Sequence, residues 1–334
     1  MTLSNKIKGC LIGGALGDAL GYPIEFKTED DIRRIYGDKG ITELPNPGCI
    51  SDDTQMTLFT CEGILKSDGD IISSIYQAYQ SWLKTQNVSK SKFSFSLGKT
   101  IEVNTGIKSD LLHIPELNIR RSPGDTCISA LLQNRMGTIA RPLNDSKGCG
   151  GVMRAAPLGF LESPMRLGCE TAAITHGHPG GYIPAGILAD IVHQAVYTNF
   201  NLQTIIDNSF NNAMTMFPYP DITGLYDKAM YFLNSGIPDK AAINAIGKGW
   251  TGDEALIIAI YSVLKHKNNV RDALICAVNH DGDSDSTGAI AGNIIGAYLG
   301  YEAMPKDWEC RLELKNVILT TAEKLALRIQ QTQE

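Results

Sequence analysis

The chain has 334 residues, and its 30 basic and 36 acidic side chains give a net charge of −6 at neutral pH. No basic stripe offsets this balance, which argues against nucleic acid as a main partner. The polar start of the chain predicts no signal peptide, and no run of about 18 apolar residues predicts a membrane span. Eight scattered cysteines without close pairs match neither a disulfide framework nor a zinc site. They favour the reducing cytoplasm as the location of the protein.

Apolar residues recur at helical spacing along most of the chain, whereas runs of alternating β-branched residues do not occur in the sequence. The predicted helices, in chain order, cover residues 7–20, 54–66, 70–84, 183–197, 253–264, 270–279, 286–300 and 318–331. Within the first of them, Gly13, Gly14 and Gly17 would allow another element to approach closely. No linker composition divides the chain, so we expect one all-α domain over residues 1–334, built as a compact helical bundle.

Three segments rich in Gly, Pro, Asn and Ser interrupt the helical pattern, at residues 22–52, 85–126 and 141–152. We predict long loops there, and long loops on a rigid scaffold often carry function.

Two acidic clusters each precede a predicted helix, Ser51-Asp52-Asp53-Thr54 early in the chain and Asp281–Ser286 late in it. Ser, Asp and Thr are favoured helix caps, which is one interpretation of both clusters. The second cluster holds more side-chain oxygens than one cap uses, and oxygen ligands suit Mg²⁺ or Mn²⁺. If the fold joins the two clusters, their carboxylates need cations to stay ionised, and a site for two metal ions follows.

Six segments, in the same order along the chain, resemble the motifs of the ADP-ribosylglycohydrolase family. They are Gly13–Gly21 with Glu25, Ser51–Thr54, Gly150–Pro157, His176–Pro179, Gly249–Leu256 and Gly282–Gly288. That family includes the glycohydrolase that activates dinitrogenase reductase and the hydrolases of ADP-ribosylated arginine and serine. The resemblance runs from about residue 7 to residue 300, and it implies the all-α fold of this family.

The resemblance also implies a site with two Mg²⁺ ions, for which Mn²⁺ is an alternative. The metal-ligand positions of the family fall on Ser51, Asp52, Asp53, Asp283, Asp285 and Ser286. Ser51 and Ser286 replace a common threonine but keep a hydroxyl, while Asp281 replaces a common glycine. The catalytic carboxylate is expected at Glu25, or at Asp52 or Asp53.

Contacts to the ADP-ribose are expected at Gly124, Thr126, Gly150, Gly151, Met153 and His176. The residues 147–151 precede a helix predicted to begin near Val152, so their N–H groups either cradle a diphosphate or form a plain turn. Arg154 is interpreted as a buried ion-pair member or a phosphate partner, and Trp250 as packing on the adenosine or in the core. We expect Asp18 to hold a neighbouring loop by hydrogen bonds.

The resulting hypothesis is a hydrolase that removes ADP-ribose from modified protein side chains, arginine first, and so reverses ADP-ribosylation. Its partners are then the ADP-ribosylated protein and ADP-ribose, with no membrane partner. One alternative is an immunity protein that blocks an ADP-ribosylating toxin by direct binding, with or without turnover. Another is an unrelated Mg²⁺-dependent phosphoesterase.

Overall fold

A computed structural model of the protein describes residues 1–86 and 108–333. These residues form fifteen α-helices and six short 3₁₀ turns, and their only β-type pairing is three isolated bridges. The helices are α1 (Leu3–Gly21), α2 (Glu29–Tyr36), α3 (Asp52–Lys66), α4 (Ile71–Thr85), α5 (Asp125–Leu131), α6 (Pro164–Ala173), α7 (Pro179–Tyr197), α8 (Leu202–Met216), α9 (Pro220–Ser235), α10 (Asp239–Ile246), α11 (Gly252–Lys265), α12 (Val270–Val278), α13 (Ser284–Leu299), α14 (Lys306–Glu309) and α15 (Lys315–Gln333). The all-α prediction is therefore confirmed. No helix among these residues is both long and apolar enough to cross a membrane.

The predicted helices correspond to α1, α3, α4, α7, α11, α12, α13 and α15. The predicted loop 22–52 was partly wrong, because it contains α2, whose start is capped by the Thr28 hydroxyl accepting the N–H of Asp31 at 3.2 Å. This helix buries a single residue, Ile32, so it leaves almost no apolar pattern in the sequence. Half of the predicted loop 85–126, residues 87–107, lies outside the described residues.

The helix predicted near Val152 does not form. The chain instead makes a 3₁₀ turn at Cys149–Gly151 and a second one at Ala156–Phe160. Pro157 in the second turn lacks the N–H that a continuous α-helix would use there.

The helix pair with the most extensive contact among the described residues joins two distant parts of the chain. In this pair α1 packs on α13 through facing glycines at four-residue spacing. An added Cβ on Gly17 would lie 1.9 Å from the Gly288 carbonyl oxygen, and one on Gly13 would lie 2.3 Å from the Gly292 oxygen. The predicted close approach at the glycines of the first helix is thereby confirmed.

Asp18 links this helix pair to the start of α3. Its carboxylate is fully buried and accepts the backbone N–H groups of Ser51 at 3.0 Å and Thr54 at 3.1 Å, as well as the Thr54 hydroxyl. The expected structural role of Asp18 is confirmed. Because Asp18 belongs to α1 and α1 is fixed on α13, the first turns of α3 and α13 are held beside each other.

Candidate active site

A cavity of about 730 Å³ opens where the starts of α3, α5 and α13 meet the 3₁₀ turn at residues 149–151. Most of the site residues predicted from the sequence line it, and these are Glu25, Asp52, Asp53, Gly124, Thr126, Gly150, Met153, His176, Asp283, Asp285 and Ser286. Two predicted residues, Ser51 and Gly151, are buried behind this lining. A Cβ on Gly151 would meet the Gly181 carbonyl oxygen at 2.7 Å, so this glycine serves the packing of α7 and not the cavity wall.

The first acidic cluster forms the start of α3. Ser51 is the N-cap, and its hydroxyl accepts the N–H of Asp53 at 3.2 Å, so the capping interpretation of Ser51 is confirmed. The Asp52 carboxylate accepts the N–H of Gly124 at 3.2 Å, which ties the loop before α5 to the site. Both aspartates are buried although they line the cavity, with exposed fractions of 4% and 2%.

The second acidic cluster forms the start of α13 in the same way. Asp283 is its N-cap and accepts the N–H of Ser286 at 3.3 Å, while Asp285 accepts the same N–H at 3.0 Å. Asp281 lies outside the cavity lining, where its carboxylate accepts the N–H of Glu29 at 2.5 Å and lies 3.6 Å from Lys248 Nζ. The acid that replaces a common glycine therefore does not crowd the other carboxylates.

Carboxylates of both clusters line the cavity together with Glu25, and those of the second cluster lie close to it. One oxygen each of Glu25, Asp283 and Asp285 lies within 4.8 Å of the others. Burial, reinforced by neighbouring carboxylates, raises the pKa of Asp52, Asp53 and Asp285 well above the ordinary range. Burial and then the charge of Asp283 raise the pKa of Glu25 to about 8. So many acids at one point are unfavourable unless protons or cations neutralise them.

The donor set fits a hard divalent cation. Oδ2 of Asp53 is buried and accepts no hydrogen bond from any residue that the structure describes. A buried carboxylate oxygen without a donor is costly, and coordination of a cation satisfies it. Carboxylate and hydroxyl oxygens line the cavity beside Asp53, and such ligands select Mg²⁺ or Mn²⁺ over softer metals.

Another wall of the cavity, next to the second acidic cluster, is a glycine-containing turn packed on a buried histidine. His176 is 1% exposed, and burial lowers its pKa to about 3, so the ring is neutral. Its Nδ1 lies 2.8 Å from the Thr175 hydroxyl. An added Cβ on Gly150 would lie 2.9 Å from Cys127 Sγ and 3.0 Å from His176 Cε1, so only glycine lets the turn come this close.

Cys149 belongs to the site although the sequence pattern gave it no role. Its thiol donates to Asp283 Oδ2 at 2.6 Å and lies 3.6 Å from the Ser286 hydroxyl. Burial and then Asp283 raise the pKa of this thiol well above its ordinary value. The only signal in the sequence was its place between the glycines of a predicted ligand loop.

The ion pair predicted for Arg154 does not form among the described residues. The Arg154 guanidinium is fully buried, and its hydrogen-bond partners among the described residues are Met56, Cys127 and Thr175, none of which is acidic. It donates to the Thr175 hydroxyl at 2.7 Å and lies 4.2 Å from the centre of the Tyr79 ring. Arg154 therefore supports the wall behind His176 from within the core and does not reach the cavity.

Trp250 does not pack in the core, because 39% of its surface is exposed, so the core-packing interpretation was wrong. Its ring stacks on Phe26 at the rim of the cavity, with 5.3 Å between the ring centres.

Comparisons with known proteins agree with one another. The family model of the ADP-ribosylglycohydrolases matches residues 1–334. The ADP-ribosyl-[dinitrogen reductase] glycohydrolase of Rhodospirillum rubrum is 24% identical over 329 residues, covering 94% of this chain and 92% of that protein. The ADP-ribosylarginine hydrolase Tri1 of Serratia proteamaculans is 22% identical, covering 96% of this chain and 79% of that protein. A solved structure described as an ADP-ribosylglycohydrolase-related protein complex shares the fold, with a TM-score of 0.66, 19% identity and coverage of 97% and 98% of the two chains.

Proposed function

The chain belongs to the ADP-ribosylglycohydrolase family, and we propose that it removes ADP-ribose from modified arginine side chains with the help of divalent metal ions. The convergence of Glu25 with Asp283 and Asp285, which lie more than 250 residues later in the chain, is the observation that supports this most directly. The arginine linkage is supported by the similarity to the ADP-ribosylarginine hydrolase of Serratia proteamaculans.

Two Mg²⁺ ions, with Mn²⁺ as a substitute, are the proposed cofactors. The residues that would hold them are Ser51, Asp52, Asp53, Asp283, Asp285 and Ser286. When bound, such ions neutralise the crowded carboxylates and act as Lewis acids toward sugar oxygens. The buried Asp53 oxygen without a donor is the clearest sign that the chain alone leaves this site incomplete.

The reaction breaks the bond between the anomeric carbon of the distal ribose and the side-chain nitrogen. Positive charge develops on the ribose as this bond opens, and the surrounding carboxylates stabilise it. The bond electrons pass to the arginine side chain, whose cationic guanidinium leaves as a neutral guanidine. A water molecule adds to the anomeric carbon, and Glu25, which would be ionised once a bound cation lowered its raised pKa, takes the proton of that water. Glu25 is the best placed of the three candidate bases, since it is half-buried whereas Asp52 and Asp53 are almost fully enclosed.

The rest of the cavity is proposed to hold the ADP-ribose. The backbone N–H groups of the turn at residues 149–151 would meet the diphosphate, because successive N–H groups form an anion site. Thr126, whose hydroxyl lies 3.0 Å from that of Ser146, is proposed to meet the ligand from the α5 side together with Gly124. Met153 and the neutral His176 would form the floor on which the nucleoside rests.

The test compares peptides carrying ADP-ribose on arginine or on serine, with Mg²⁺ and with chelator. We expect release of ADP-ribose from the arginine peptide only with metal, and a loss of orders of magnitude in Asp285→Asn. The control is Asp227→Asn, the same substitution on the exposed face of α9, which should keep full turnover. Undiminished turnover in Asp285→Asn or in chelator would contradict the proposed metal site, and release from serine alone would reassign the linkage.

The same assay addresses the alternatives raised by the sequence. Release of inorganic phosphate from free ADP-ribose would point to a phosphoesterase. The toxin-blocking alternative gains no support from the described residues, so we do not propose a toxin as a partner.

A further inference from the structure

Two exposed aromatic rings stand at one end of the cavity rim. Phe26 is 66% exposed and Trp250 39% exposed, and their planes are inclined by only 21°. Large apolar side chains exposed together beside a site are usually contact surfaces for a ligand. We call this stack of Phe26 and Trp250 the aromatic pair.

The backbone holds Phe26 in this exposed position against its own preference. Its φ of +63° is in the left-handed region, which is rare for a bulky residue. The Phe26 N–H donates to the Gly282 carbonyl at 3.3 Å, so the residue is fixed to the turn that precedes α13. Strained conformations of this kind are retained mainly where a site requires them.

The aromatic pair lies at the acidic end of the cavity. Phe26 follows Glu25 directly, and its backbone partner Gly282 directly precedes Asp283. The Trp250 carbonyl accepts the N–H of Cys149 at 3.2 Å, and the thiol of Cys149 contacts Asp283. Both rings are therefore anchored beside the carboxylates at which the proposed reaction occurs, where the leaving group departs.

We propose that the aromatic pair is the subsite for the leaving side chain, and that it selects a planar cation, the guanidinium of arginine. This inference rests on the proposed function and assigns the specificity to two named rings. A guanidinium stacks on aromatic faces and is attracted by their π electrons, whereas a serine hydroxyl has neither a plane nor a charge. The carboxylates next to the rings add attraction for a cation.

Trp250 supplies a direct optical test in the intact protein. The chain has three tryptophans, and Trp82 and Trp308 are fully buried, so only Trp250 reports on the solvent. With ADP-ribose and Mg²⁺ present, agmatine should change the tryptophan emission in a saturable manner. N-carbamoylputrescine replaces its guanidinium by a neutral urea of the same shape and should bind about threefold to thirtyfold more weakly. Equal binding of the two compounds, or no response to agmatine, would overturn the proposal.

The second test is kinetic and uses Phe26→Ala and Trp250→Ala. Each should lower kcat/KM for the arginine-linked peptide by about threefold to thirtyfold and change the Kd for free ADP-ribose less than about twofold. Trp250→Phe keeps a ring and should recover most of the loss. Tyr231→Ala removes an aromatic ring of equal exposure, 66%, outside the cavity, and serves as the matched control.

The outcomes separate the two proposals. A wild-type protein that cleaves no arginine linkage but binds agmatine at Trp250 would refute the proposed function and leave the subsite standing. Normal arginine turnover in both alanine variants would refute the subsite alone. A parallel loss of ADP-ribose affinity in these variants would place the adenine on the rings and overturn the assignment to arginine.

Discussion

Substitution of Gly17 by alanine tests the contact on which the site depends. The added Cβ would lie 1.9 Å from the Gly288 carbonyl oxygen, whereas relaxed carbon–oxygen contacts are about 3.3 Å or longer. Since backbone lies on both sides, α1 and α13 must separate by more than about 1 Å. Overpacking costs about 1–3 kcal/mol and rigid neighbours favour the upper value, while the better helix propensity of alanine offsets about 1 kcal/mol. We expect the free energy of unfolding to fall by about 2 kcal/mol or more.

The assay is urea unfolding followed by circular dichroism, with the midpoint compared at constant m-value. Gly224→Ala is the matched control, because Gly224 lies on the exposed face of α9 with no atom within 4 Å of the added Cβ. That variant should gain about 0.5–1 kcal/mol. A Gly17→Ala protein as stable as wild type, or one stabilised like the control, would refute the close packing of α1 on α13.

Three further predictions concern the site itself. Mg²⁺ should raise the thermal unfolding midpoint of the wild type in scanning fluorimetry but hardly change that of Asp285→Asn, since a cation stabilises only a fold that binds it. Equal increases of the midpoint in the two proteins would mean that the ion binds elsewhere. In chelator, the free energy of unfolding should fall as pH rises from 4.5 to about 8, because Glu25 binds its proton more tightly in the folded state. Urea titrations at several pH values should show a weaker pH dependence for Glu25→Gln than for the wild type. Identical pH profiles for the two proteins would contradict the raised pKa. Gly150→Ala places a Cβ against Cys127 and His176, so it should lower the free energy of unfolding by about 1–3 kcal/mol. It should also weaken ADP-ribose binding in calorimetry. An unchanged affinity would show that this turn does not contact the ligand.

The sequence alone predicted the fold where helices bury much of their surface. Helices α1, α7 and α13 are buried along almost their whole length, and their long runs of apolar and small residues predict buried helices. Helices α8 to α10 did not stand out because each of them buries only three to six residues, so the apolar signal in their sequence is weak. Tertiary packing and capping decide such helices, and neither can be read from one segment.

The acids of the second cluster were predictable because this cluster holds more oxygens than a helix cap uses, whereas those of the first cluster were predicted from the family resemblance. The meeting point of the two clusters was not predictable, since it depends on glycine contacts between distant helices. Cys149 was missed for the same reason, because its thiol gains a role only once α13 brings Asp283 within 2.6 Å. Phe26 was missed because a left-handed φ at a phenylalanine has no sequence signature.

The pairing of α1 with α13 also dictates the order in which the protein can become complete. Asn293 donates to the Cys10 carbonyl across 283 positions of chain. At ordinary rates of synthesis the ribosome needs on the order of 15 to 60 s to add that length. In the folded protein α1 is buried along most of its length. Throughout this interval α13, its main packing partner, has not yet been synthesised. The growing chain therefore exposes the apolar surface of α1 to chaperones, and its acidic site is completed only near the end of translation.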